Sequence, residues 1–263
     1  MSNSARAYRE PAGPKLNLPP NLLEPVIRKR AIDADVPSGT LYEIWREIPG
    51  AHKWLHYFQI YEALFIPLTG KPIRMLEIGV YKGGSLAMWR QYLHPESVIV
   101  GIDIDPACAS YDAPGQNMHV RIGDQADAEF LHEVSAAFGP FDVILDDGSH
   151  LCSHMLATFG NLFLGSLKDD GVYIAEDTHT NFWDGFRDQG YSFIDLSKDL
   201  VDLMHSHYVH NDFEKKFRLG GPDQLVSVAV PRISAHIKEI NFHDSIVVIR
   251  KQSQKRLPAS QHR

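Results

Sequence analysis

From Lys71 to Lys251 the apolar residues come in short, nearly continuous runs, separated by helical-length stretches of mixed polarity. The runs IRMLEIGV (73–80), SVIVGIDI (97–104), MHVRIGD (118–124), FDVILDD (141–147) and GVYIAED (171–177) read as strands. GGSLAMWRQYL (83–93) and QADAEFLHEVSAAF (125–138) read as helices between them. Strands this apolar, alternating with helices, predict a mostly parallel sheet covered on both faces. HIKEINFHDSIVVIRK (236–251) leaves no room for a helix between its two runs. The break at His243–Ser245 therefore predicts a hairpin that adds an antiparallel strand. Upstream, TLYEIWREIPG (40–50) and HKWLHYFQIYEALF (52–65) space apolar and aromatic residues by three and four, which predicts two amphipathic helices. The chain before them is rich in proline and polar residues, as in extended or disordered segments. The expected organisation is an extension with helices over 1–70, an α/β domain over 71–250 and a basic tail over 251–263.

Each predicted strand ends in acid: Glu77, Asp103, Asp124, the pair Asp146/Asp147 and the pair Glu176/Asp177. One such residue is a common helix cap. Five in succession mark the carboxyl-end rim, where open α/β sheets bind ligands. The first rim element, EIGVYKGGS (77–85), follows a strand and opens a helix, so its glycines allow a tight turn and close approach to a ligand. Its spacing differs from the Gly-x-Gly-x-x-Gly dinucleotide fingerprint, which counts against an NAD-dependent oxidoreductase. Glu77 would repel a pyrophosphate there but suits a ligand carrying a positive charge. Asp103 is placed to accept from ribose hydroxyls and Asp124 from an exocyclic amine.

DDGSH (146–150) sets Asp147 and His150 three residues apart, with Gly148 allowing a sharp turn. If a helical turn begins there, the two share a side. Glu176 and Asp177 end the neighbouring strand, and carboxylates converging on one rim call for a cation. An oxygen-rich set without cysteine favours Mg²⁺, with Mn²⁺ or Ca²⁺ as alternatives. Beside Asp147 and a second acidic pair, His150 reads as functional rather than as a loop or cap histidine. His154 and His179 flank this group. NFWDGFRDQGYSF (181–193) reads as a loop over it, with Phe182 or Trp183 as a platform for a sugar face.

Composition narrows the class. The chain has 263 residues, 44% hydrophobic and 22% charged, enough for a sizeable core. A net charge of −7 argues against nucleic acid as the main partner. No apolar run approaches a membrane span of ~20 residues, and MSNSARAYREPAGPK lacks a signal-like apolar core, so a cytoplasmic location is expected. Cys108 and Cys152 are too few for a disulfide framework or a cysteine zinc site.

The order and spacing of EIGVYKGGS, Asp103 and RIGDQAD resemble the class I S-adenosylmethionine-dependent methyltransferases over roughly residues 71–250. The resemblance implies a Rossmann-like, mostly parallel seven-stranded sheet. It places Glu77, Gly79 and Gly83 along the methionine part of the cofactor, with Ser85 at its carboxylate, Asp103 on the ribose and Asp124 near the adenine. DDGSH and AEDTHT are similar to metal-dependent sugar O-methyltransferases that tailor macrolide antibiotics, and share logic with catechol O-methyltransferase. By that resemblance Asp147, Glu176 and Asp177 bind Mg²⁺ and His150 is the general base. The catechol enzymes match the strand end nearer Asp146, so both aspartates stay candidates. The implied acceptor is a small oligosaccharide or glycoside. A narrower similarity, to mycobacterial 1-O-methyltransferases of methylated mannosides, points to a 1-OH; the alternatives are a macrolide-type sugar or a non-catalytic cofactor-binding protein. The N-terminal helices would cover the site of their own chain or join a partner subunit in a homo-oligomer.

Overall fold

A computed structural model describes residues 36–208 and 229–253, together with Pro19, Leu22 and Val26. The proline-rich start and nearly all of the basic tail lie outside the described residues. The chain divides into Met1–Pro37 and Ser38–Arg263, and every strand and α-helix named below belongs to the second unit.

Seven strands form one sheet: β1 Arg74–Ile78, β2 Val98–Asp103, β3 Met118–Ile122, β4 Phe141–Asp146, β5 Leu167–Ala175, β6 Ile237–Phe242 and β7 Val247–Lys251. Their spatial order is β3-β2-β1-β4-β5-β7-β6. The first five run parallel, while β7 is antiparallel to both β5 and β6. The expected mostly parallel sheet with a C-terminal hairpin is therefore what forms. Strand alternation supplies both faces. Met75, Ile99, Val143 and Leu145 pack in one core, with α1 Thr40–Arg46, α2 Tyr57–Phe65 and α3 Gly84–Tyr92. Leu76, Val100, Ile144 and Tyr173 pack in the other, with α4 Ala128–Phe138, α5 Cys152–Leu162 and α6 Phe193–Met204.

Three elements differ from the sequence reading. The second N-terminal helix starts at Tyr57 rather than near His52, because the preceding residues run without helix and Lys53 reaches the carboxylates of the rim. The end of the segment read as a loop opens α6, through a capping box in which Ser192 and Asp195 bond reciprocally. β5 begins four residues before Gly171, across the polar LKDD, where Asp170 takes φ 62° and the pairing with β4 slips. Chain order reverses between β1 and β4, so the crevice beyond their carboxyl ends is where a ligand is expected.

Candidate active site

At that crevice lies a cavity of about 430 Å³, bounded by residues 50–54, the glycine loop, the ends of β2 to β5 and the segment Asp147–His150. Gly79 holds the loop against the β4 exit: its φ is +95°, and a Cβ there would lie 2.1 Å from the Asp147 carbonyl oxygen. Asp103 shapes the same loop. One carboxylate oxygen accepts from the Val80 and Tyr81 amides at 2.9 Å each, and the other accepts from Asp105 N at 2.9 Å. Burial alone would push its pKa up, but these donors hold it below the usual carboxylate value. Glu77 is fully buried. Trp89 Nε1 donates to its Oε1 across 3.4 Å, the nearby Ser85 hydroxyl also pulls the Glu77 pKa down, and Oε2 has no partner of good geometry among the described residues. Burial pushes this carboxyl up to about 7, against the pull of Lys53. Ser85 lines the cavity beside this buried carboxyl, and an amino group is the kind of donor that its under-bonded oxygen lacks.

The acidic corner is more ordered than the sequence suggests. Lys53, whose side chain is 2% exposed, donates to Asp147 Oδ2 and, at 2.7 Å, to Glu176 Oε2. Tyr61 OH also donates to Glu176 Oε2, and Tyr57 OH donates to Asp177 Oδ1 at 2.5 Å. Tyr57 and Tyr61 stand one helical turn apart on α2, so one face delivers both hydroxyls. Burial would lower the Lys53 pKa, but Asp147, Glu176 and Glu77 outweigh it and raise it. Burial raises the Glu176 pKa and Asp147 adds to the effect, while Lys53 and Tyr61, both donating to one oxygen, pull against it without cancelling it.

The donors from residues 53–61 thus engage one oxygen of each carboxylate. Asp147 Oδ1 lies 3.9 Å, and Asp177 Oδ2 3.7 Å, from His150 Nε2. Among the described residues, Asp147, His150 and Asp177 form a group whose ligand atoms all lie within 4.8 Å of one another. This donor set fits a hard divalent cation; Glu176, expected as a third carboxylate ligand, is outside the group and is joined to Asp147 through Lys53. Asp177 (φ 52°) and His150 (φ 59°) both sit in the left-handed region, a strain that clusters at functional sites.

Gly79, Ser85, Asp103, Asp124, Asp147, His150, Glu176 and Asp177 all line the cavity. Glu77 and Gly83 are not among its lining residues. Gly83 is instead the left-handed N-cap of α3, where a Cβ would lie 2.5 Å from the Tyr111 ring. Asp146 turns away from the cavity: it accepts from Tyr173 OH at 2.9 Å and Gln125 Nε2 at 3.1 Å, and burial pushes it up to about 7. Of the two aspartates, Asp147 faces the group. Asp147 and His150 do not meet through a helical turn, since α5 starts only at Cys152; the positive φ of His150 turns the chain back.

Sequence reasoning missed Lys53 and the two tyrosine hydroxyls. The signal for the hydroxyls was tyrosine rather than phenylalanine at two buried positions, where a hydroxyl needs a partner; Lys53 had none. At the mouth, Trp54 meets the His179 ring edge-on at 5.9 Å and Trp183 meets it at 4.6 Å. Trp54 lines the cavity and is 47% exposed, so this aromatic wall extends the platform expected at Phe182 or Trp183.

Residues 76–178 match the model of a family described as a methyltransferase domain. Over 217 residues the chain is 30% identical to the 8-demethyl-8-alpha-L-rhamnosyl tetracenomycin-C 2'-O-methyltransferase of Streptomyces olivaceus, covering 78% of this chain and 53% of that protein. It is 36% identical over 165 residues to the 3'-O-methyltransferase of 8-demethyl-8-(2-methoxy-alpha-L-rhamnosyl)-tetracenomycin-C from the same organism, covering 58% and 41%. It is also 35% identical over 176 residues to the demethylmacrocin O-methyltransferase of Streptomyces fradiae, covering 61% and 43%. The chain thus spans about half the length of the curated relatives it matches. Among solved structures it is similar to the MycE methyltransferase of the mycinamycin pathway in complex with Mg, SAH and mycinamycin VI. The TM-score is 0.64 at 27% identity, over 82% of this chain and 53% of that one. The sheet is that of the class I methyltransferases, as the glycine loop and acidic strand ends implied. No helix of the described residues is long and apolar enough to cross a membrane.

Proposed function

We propose that the methyltransferase domain at residues 76–178 transfers a methyl group from S-adenosylmethionine to a glycosyl hydroxyl, with Mg²⁺ at the acidic corner. The observation that carries this reading is that the glycine loop and the Asp147–His150–Asp177 group open onto one cavity. The relatives named for rhamnosyl tetracenomycin and the Mg-containing neighbour support the same chemistry.

The glycine loop and Asp103 shape the cofactor end, and the orphan Oε2 of Glu77 suits the cofactor's amino group. Asp147 and Asp177, with Glu176 beside them, would hold the cation. A cation held there would supply Lewis acidity towards an acceptor hydroxyl. His150 Nε2 takes the proton, and the adjacent Asp147 and Asp177 carboxylates stabilise the imidazolium that results. Transfer then needs in-line placement of the two substrates and no covalent enzyme intermediate. Trp54 and Trp183 stack against the sugar face, which favours a small glycoside or oligosaccharide, including the 1-OH of a methylated mannoside. The same wall would take a rhamnosyl group.

The test is methyl transfer from labelled S-adenosylmethionine, with Mg²⁺, to a panel of methylated mannosides, rhamnosides and disaccharides. A methyl ether on a glycosyl hydroxyl is expected. A panel on which no glycoside is labelled, while a phenol or catechol is, would replace this reading.

A further inference from the structure

Lys53 is more than part of the cavity wall. It comes from the segment before α2 rather than from any strand end, yet its ammonium lies inside the carboxylate group that the cation reading assigns to Mg²⁺. Glu77, Asp147, Glu176 and Asp177 place four carboxyls in this corner, with two of them, Glu77 and Glu176, buried. Lys53 contacts two of the four and exerts its field on a third, Glu77. Tyr57 and Tyr61 also reach the carboxylates, but as neutral donors.

These donors do two different things to a cation site. A neutral hydroxyl that fixes one oxygen of a carboxylate aims the other oxygen, and losing such a partner typically weakens metal binding by ~10–100-fold. A fixed ammonium also aims the carboxylates, but its charge repels the incoming cation across a poorly screened interior. At contact distances the charge outweighs the aiming.

We infer that Lys53 is the site's resident counter-ion: it holds Asp147 and Glu176 together in the metal-free protein and lowers the affinity of the corner for a divalent cation. The corner then keeps its shape without metal, and bound metal exchanges readily. The inference rests on the reading that this corner binds a divalent cation, and its test separates the two.

Mn²⁺ binding is titrated by electron paramagnetic resonance on the full chain, for wild type, Lys53→Met, Lys53→Gln and Tyr61→Phe. Thermal unfolding is followed in EDTA and in saturating Mn²⁺. The glutamine variant keeps a donor and most of the volume, so it carries the test if the methionine variant does not fold. Both neutral substitutions are expected to lower the Mn²⁺ Kd by tenfold or more, to lower Tm in EDTA, and to recover more of it with Mn²⁺ than wild type gains. Tyr61→Phe is expected to raise the Kd. If wild type binds Mn²⁺ and the Lys53 variants bind it equally or more weakly, the counter-ion role is overturned and the cation reading survives. If neither wild type nor any variant binds Mn²⁺, the cation reading fails and the counter-ion role with it.

Discussion

Replacing Gly79 by alanine should damage the fold and the acidic corner together. The new Cβ would lie 2.1 Å from the carbonyl oxygen of Asp147 and 2.8 Å from its carbonyl carbon. Both are backbone atoms, so no side-chain rotation relieves the contact. The backbone on either side is also held, because Gly79 N donates to Ile102 O at 2.8 Å and Asp147 N donates to Ile78 O at 3.0 Å. At φ +95° an alanine adds conformational strain of ~1–3 kcal/mol. Forcing the two exits apart adds a similar ~1–3 kcal/mol of overpacking. The expected loss is ~2–6 kcal/mol, a large part of the ~5–15 kcal/mol that stabilises a typical domain. Gly160→Ala is the control: it lies within α5 with nothing inside 4 Å of its Cβ, so a gain of ~0.5–1 kcal/mol is expected. Equilibrium urea unfolding of both variants measures the difference. A Gly79→Ala protein within 1 kcal/mol of wild type would refute the account of why this loop needs glycine.

Burial pushes Glu77 and Asp146 up to about 7, and an acid raised on folding lowers stability as pH climbs from its unfolded pKa of ~4 towards its folded one. In EDTA, stability should therefore fall by ~2–3 kcal/mol per group between pH 5 and 8, and urea titrations showing a flat or rising profile would contradict this. Asp103→Ala leaves the Val80, Tyr81 and Asp105 amides without their acceptor and should weaken S-adenosylmethionine binding by ~10–100-fold in calorimetry. An unchanged affinity would detach Asp103 from the cofactor. His150→Ala should cut turnover by ~10²–10⁴-fold with nearly constant cofactor affinity and partial recovery at high pH. A stable variant with wild-type turnover would remove His150 from the mechanism.

The sheet was legible because most of its strands are apolar on both faces and its five parallel strands each lead into an acid that the topology must bring to one rim. Asp147, Glu176 and Asp177 could be grouped from their places at adjacent strand ends, without knowing a single distance. Lys53 could not. Its partners lie 94 and 123 positions away, and nothing in HKW distinguishes a buried lysine from an exposed one. Gly83 shows the opposite difficulty: a glycine at a loop–helix junction looks the same in sequence whether it clears room for a ligand or for a side chain such as the Tyr111 ring that it faces. α6 carries a strong capping signal, Ser192 with Asp195, but the aromatic and glycine-rich stretch before it masked the start.

The central claim is that a cofactor end and a cation end share one cavity while relying on different residues. S-adenosylmethionine binding and methyl transfer to a glycoside, each measured on one preparation before and after EDTA, test it most directly. The account predicts that calorimetric cofactor affinity survives chelation, while methyl transfer is lost and returns with added Mg²⁺. Undiminished transfer in EDTA would contradict it.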